Sequence, residues 1–126
     1  MSKKYRDSSP YLIEMIRACI KIQEYVENTN EQEFLKQRES FDAICMQLSH
    51  LGEQVSNLEK SPDRVIQHYP DEINWHALIG LRNRIDHAYM SVDAKMIWEF
   101  ANEQMEDTES ALKRILKKRF GIDYKS

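Results

Sequence analysis

The chain has 126 residues, 3 Gly, 3 Pro and a net charge of −3. That length suits one domain, residues 1–126, with one core, and so few glycines and prolines argue against the many turns of an all-β fold. No apolar run approaches the roughly 20 residues that a membrane helix needs, and the negative balance excludes a nucleic-acid binder that works by overall charge, so any RNA contact must come from local basic groups.

The basic start Met1-Ser2-Lys3-Lys4-Tyr5-Arg6 leads into no apolar signal-peptide core, so a cytoplasmic protein is expected. Asp7-Ser8-Ser9-Pro10 reads as a helix start, a polar cap candidate followed by Pro in the first turn. Leu12, Met15, Ile16, Cys19, Ile22 and Val26 then recur at three- and four-residue steps and mark one face of a long helix. Asn28-Thr29-Asn30 breaks it. Phe34 and Leu35 fit a short helix or the lead into the next one. Phe41, Ile44, Cys45, Leu48, Leu51, Val55 and Leu58 form the cleanest stripe, and Gly52 lies on it. A missing side chain there lets another helix approach closely; otherwise it is a tolerated glycine costing about 1 kcal/mol.

Ser61-Pro62 restarts the chain, and Val65-Ile66 with Tyr69 fits one or two turns. Tyr69-Pro70-Asp71-Glu72 is a loop, and Asn74 can cap a helix from Trp75 to about Tyr89. Ser91-Val92-Asp93 is the next break, with Asp93 as a cap. Trp98, Ala101, Met105, Thr108, Leu112 and Ile115 line a last long helix ending near Gly121. The pattern predicts an all-α, up-and-down bundle of three long helices plus one or two shorter ones. Its stripes suit the core of a dimer equally well.

Cys19 and Cys45 both fall on apolar stripes with no metal spacing around them, and read as buried thiols of a reducing compartment. His50, His68 and His76 are scattered, with no H-x-x-x-H or H-E-x-x-H spacing and no glycine-rich phosphate loop nearby, so no metal or other cofactor is expected. The basic helix end, about residues 113–126 with Lys113-Arg114 and Lys117-Lys118-Arg119, reads first as a solvated end favoured by the helix dipole. RNA contact is the alternative there.

The run Arg82-Asn83-Arg84-Ile85-Asp86-His87-Ala88-Tyr89 carries the chemistry. At about 100° per residue, Leu78, Leu81, Ile85 and Ala88 share one side of the helix, and Asn83 and His87 are neighbours on the other. Arg82 lies at the boundary, about 140° from His87, and its long stem can swing toward the histidine. Arg84 points elsewhere and suits a partner or a backbone phosphate. Metal-free RNA cleavage needs a base for the ribose 2′-hydroxyl, an acid for the leaving 5′-oxygen and a cation for the phosphorane. Histidine, with an ordinary pKa of about 6.5, suits the first two. Arginine suits the third because its planar fork matches phosphate oxygens. A dimer would supply two of each. The plainer reading is an Arg82–Asp86 surface ion pair, a His87 favoured by the helix C-terminus and a Tyr89 core anchor.

Trp75-His76-Ala77-Leu78-Ile79-Gly80-Leu81-Arg82-Asn83-Arg84 followed by His87-Ala88-Tyr89 closely resembles the signature of HepT-like proteins in the HEPN superfamily. Asp42-Ala43-Ile44, Leu51-Gly52-Glu53, Val92-Asp93 and Ile97-Trp98-Glu99 also match, so the resemblance spans roughly residues 12 to 116. It implies a homodimeric helical bundle whose R-x-x-x-x-H motifs face one cleft, acting on RNA as a metal-independent endoribonuclease toxin. It further implies a cognate minimal nucleotidyltransferase antitoxin that, in some members, transfers AMP onto the motif tyrosine. Arg82 and His87 match the catalytic pair, Asn83 the polar residue after the arginine, and Tyr89 the modified tyrosine. Three positions depart from the pattern. Asp86 stands where an apolar residue is common, Ala88 where Gly is common, and the last helix lacks a proline near Gln104-Met105. Asp86 bears on chemistry, because it can repel phosphate or compete for Arg82. The alternative function is a non-catalytic helical module that holds a nucleotidyltransferase or a nucleotide. A purely structural assembly protein is a third.

Overall fold

The computed structural model describes residues 7–125; the basic start, residues 1–6, lies outside them, as does residue 126. Among the described residues six helices follow in order: α1 Ser9–Glu27, α2 Glu31–Lys36, α3 Arg38–Lys60, α4 Val65–His68, α5 Trp75–Ala88 and α6 Ala94–Phe120. A 3₁₀ turn, Tyr89–Ser91, joins α5 to the loop before α6. Among the described residues there is no strand, and the all-α reading holds. The shorter helices number three rather than one or two. Gln37 is extended (φ −106°, ψ 111°) and separates α2 from α3, while α4 stands apart as a single turn.

Local chemistry sets most boundaries. The Asn30 side chain accepts from the Glu33 N–H at 2.9 Å, and that of Asn74 from the Ala77 N–H at 3.1 Å. Asp93 accepts from the Lys95 N–H at 3.0 Å. Each satisfies a donor that the first helical turn would otherwise leave unpaired. Gly121 ends α6 at φ 70°, the left-handed conformation that costs glycine least. The start of α1 is built differently from expectation. Ser8 precedes the helix but its hydroxyl makes no cap. Asp7 takes the Ser9 N–H at 3.0 Å and its hydroxyl at 2.6 Å. Ser8 is buried and turns to the α3–α4 loop, donating its N–H to the Asp63 carboxylate and sharing a hydrogen bond with the Ser61 hydroxyl. Arg119 donates to the Asp63 carbonyl at 2.7 Å, so the same loop anchors the end of α6.

The apolar stripes meet in one buried cluster. Leu12, Met15, Ile16, Cys19 and Ile22 of α1 are inside, and so is every member of the α3 stripe from Phe41 to Leu58. Val26 and Thr108, read as stripe members, are only half-buried. Each fully buried Leu or Ile contributes roughly 1.5–3 kcal/mol. Phe34 of α2 closes one end, with its ring 5.2 Å from Trp98 and 6.0 Å from Phe41. Helix α1 packs on both α3 and α6, whereas α5 packs on α3. Helix α5 is therefore a flank of the bundle, supported on one side. No helix among the described residues is long and apolar enough to cross a membrane.

Candidate active site

Helix α5 buries Leu78, Leu81 and Ile85 against α3. The Trp75 indole N–H donates to the Tyr69 carbonyl at 2.9 Å and fixes its start. The face turned away from α3 carries His76, Asn83 and His87, all exposed. A Cβ built on Gly80 meets no atom within 4 Å, so this face is also smooth and open at its middle.

Between α3 and α5 the helices touch at Gly52. A Cβ there would lie 2.5 Å from the Arg82 Cβ and 2.8 Å from the Leu78 carbonyl oxygen. The close-approach reading of this glycine therefore holds, and the approach occurs at Arg82 itself. Ser49 and Ser56 lie three residues before and four after Gly52, on the same face of α3. Both reach across. The Arg82 Nε donates to Asp86 Oδ2 at 3.1 Å, and its Nη1 donates to the Ser56 hydroxyl at 3.2 Å. The Ser49 hydroxyl donates to the other Asp86 oxygen at 2.8 Å. The guanidinium is thus held by a carboxylate and a hydroxyl along the seam of two helices.

This arrangement brings Arg82 to Asp86, not to the His87 of its own chain. His87 is exposed in the last turn of α5, beside Asn83 and away from the seam. Arg84 is likewise exposed. Tyr89 falls just beyond the α-helix, on the 3₁₀ turn, and is half-buried. Its ring stacks at 5.5 Å from Phe41, and the Arg38 guanidinium lies 4.8 Å from its centre and 4.6 Å from that of Phe41. Arg38 also pairs with Asp42 at 3.3 Å. Such cation–π contacts contribute about 0.5–1 kcal/mol at exposed sites.

A groove of about 570 Å³ runs along the α3–α5 seam between Tyr89 and Glu53, floored by the buried Cys45 and Ile85, with the exposed Met46 also lining it. Asp42, Glu53 and Asp86 line it with His50. His50 is engaged by Glu14 at 3.2 Å. Asp86 is thus shared between this groove and Arg82, which it pairs at 3.1 Å.

Ser49, Ser56 and Arg38 are the members that sequence reasoning missed. The two serines carried a signal, since their spacing from Gly52 puts them on the face that meets α5. Nothing local points Arg38 toward a tyrosine 51 positions away.

Comparison with known proteins converges on one group. The family model described as "HepT-like: Ribonuclease HepT-like" matches residues 15–115. The chain is 28% identical over 109 residues to "Putative RNase TTE0752" of Caldanaerobacter subterraneus subsp. tengcongensis, covering 86% of this chain and 94% of the relative. It is 25% identical over 121 residues to "Putative RNase MJ0127" of Methanocaldococcus jannaschii, covering 96% and 97%. To "Probable ribonuclease HepT" of Thermococcus cleftensis it is 24% identical over 117 residues, covering 93% and 100%. No solved structure matches.

Proposed function

This chain belongs to the HepT-like ribonuclease family, and from that premise we propose that it is a metal-independent endoribonuclease, the toxin of a toxin–antitoxin pair, working as a two-fold dimer. The observation that carries this reading is the open face of α5. His87 and Asn83 lie exposed along it, Gly80 leaves it smooth, and Arg82 lies round the helix at the α3 seam with its side chain 30% exposed. A second copy laid across that face makes an isologous contact and brings two histidines and two arginines to one cleft.

In such a cleft one His87 takes the proton of the ribose 2′-hydroxyl. The 2′-oxygen attacks phosphorus, and the protonated His87 of the other copy gives its proton to the departing 5′-oxygen. Arg82 stabilises the charge on the phosphorane, with Ser56 fixing its position. The products are a 2′,3′-cyclic phosphate and a 5′-hydroxyl. Asn83 supports the site, and Arg84 is placed for a flanking phosphate. A cognate nucleotidyltransferase restrains the enzyme by adding AMP to Tyr89, which puts a phosphate and a nucleoside at the edge of the site.

One observation favours a second reading. Asp86 already neutralises Arg82, as suits a helical module that binds a nucleotidyltransferase partner or a nucleotide and cleaves nothing. Expression of the chain alone, beside Arg82→Ala and His87→Ala, separates the two. Arrested growth with RNA breakdown in the parent only supports the nuclease; harmless expression of all three supports the module.

A further inference from the structure

At Arg82 an RNA phosphate meets a guanidinium that is already paired. Asp86 answers the guanidinium, and the adjoining groove carries Asp42 and Glu53 as well. Affinity for nucleic acid comes mainly from neutralised phosphates. On a chain of net charge −3 further cations for that purpose must be clustered locally.

They are gathered at the far end of α6. Lys113, Arg114, Lys117 and Lys118 occupy adjacent positions over two turns, so they share one side of the helix. With Tyr69 from the loop before α5 they wall a cleft of about 440 Å³, in which Glu72 is the carboxylate among the lining residues. Two of these cations are lightly committed. Lys117 pairs with Asp123 at 3.1 Å, and Arg114 with Glu72 at 3.9 Å, and all four side chains are between 44% and 64% exposed. Exposed pairs of this kind contribute about 0–1 kcal/mol, so a phosphate can replace either carboxylate at small cost. Lys113 is more firmly held by Glu109 at 2.7 Å.

We propose that this cleft is a binding site for a single RNA strand, with the lysines and Arg114 on successive phosphates and the half-buried Tyr69 as a stacking surface for a base. Cations along a groove with an aromatic face are the combination that single strands recognise without sequence preference. The site rests on the ribonuclease reading above and extends it. The cleft adjoins the N-terminal end of α5, and Trp75 and His87 are separated by about 18 Å of helix. A strand held at the cleft thus reaches the cutting site only after several nucleotides.

The test is the salt dependence of binding to a 3′-fluorescein 2′-O-methyl oligouridine, whose methyl groups block cleavage. Binding is read by anisotropy across roughly 50 to 200 mM salt, beside cleavage of the unmethylated strand. Lys117→Ala/Lys118→Ala removes two phosphate contacts. The slope of log affinity against log salt should become shallower by about 1.4, and Lys117→Arg/Lys118→Arg should restore it. Both changes are at exposed positions, and melting followed by circular dichroism controls for the fold. An unchanged slope in the alanine variant overturns the strand site, as does a parent that binds no oligouridine; an acidic protein surface is then the better occupant. Cleavage is read separately. A parent that cuts RNA with an unchanged slope keeps the nuclease and loses the cleft. A parent that shows the slope change and cuts nothing keeps the cleft and loses the nuclease.

Discussion

Asp86 holds Arg82 by its Nε at 3.1 Å while its other oxygen takes the Ser49 hydroxyl at 2.8 Å. The carboxylate is thus fixed from one helix and grips an arginine on its own. An incoming phosphate has to compete with it for the same guanidinium. Replacing Asp86 by Val removes the competitor and should raise kcat/KM for RNA cleavage about two- to fivefold, which corresponds to roughly 0.4–1 kcal/mol. A fall in kcat/KM would mean that Asp86 orients the site instead of blocking it.

Gly52 sets where Arg82 can stand. An alanine there drives its methyl against the Arg82 Cβ at 2.5 Å and the Leu78 carbonyl at 2.8 Å, and a helix backbone does not yield cheaply. Alanine normally gains about 1 kcal/mol over glycine inside a helix. Here overpacking of about 1–3 kcal/mol should win. Gly52→Ala should lower the urea midpoint and, by shifting α5, depress cleavage as well. A midpoint at or above that of the parent would show that α5 is free to move off α3.

The parts of the fold visible in the sequence are the local ones. Asn30, Asn74, Asp93 and Gly121 mark helix ends because each acts within a few residues of itself. The stripe from Phe41 to Leu58 is legible because burial repeats with the helix turn. Even the Arg82–Asp86 pair follows from four-residue spacing. What was not legible depends on the register between helices. Ser56 reaches Arg82 only because Gly52 lets α5 settle at one height on α3, and Arg38 covers Tyr89 only because the 3₁₀ turn carries that ring past the end of α5. The extended Gln37, which makes α2 a separate helix, likewise leaves no mark on the apolar pattern.

The two thiols give a pH-dependent prediction. Burial foremost pushes Cys19 up to about 12, with Glu109 adding to the rise. Burial does the same for Cys45, also to about 12, with Asp42 raising and Arg38 lowering. In the unfolded chain both ionise near the ordinary 9.0. Above that pH the folded state therefore binds more protons than the unfolded one, and stability falls as pH rises from about 9 toward 12. Urea midpoints measured from pH 7 to 10.5 should hold level and then decline, and replacing both cysteines by Ala should flatten the decline. A thiol reagent at pH 8 should label neither cysteine until the protein is unfolded. Rapid labelling of the native chain would contradict the burial.

Tyr89→Phe removes the hydroxyl and keeps the ring on Phe41 and under Arg38. Stability should change by no more than about 0.5 kcal/mol. The variant should remain toxic and should escape a catalytically competent nucleotidyltransferase partner, with no AMP adduct on the peptide carrying residue 89 by mass spectrometry. If the partner silences this variant as well as the parent, occlusion of the cleft by binding is the restraint, and modification is not.

The most direct measurement is cleavage of RNA by the purified chain in EDTA, with the product ends identified by mass spectrometry. Cutting should persist in the chelator and leave 2′,3′-cyclic phosphate and 5′-hydroxyl ends. His87→Ala and Arg82→Ala should each reduce the rate about a hundredfold or more, with melting transitions close to that of the parent. Loss of cleavage on chelation, or a His87→Ala variant that cuts as fast as the parent, would contradict cleavage by this arginine and histidine.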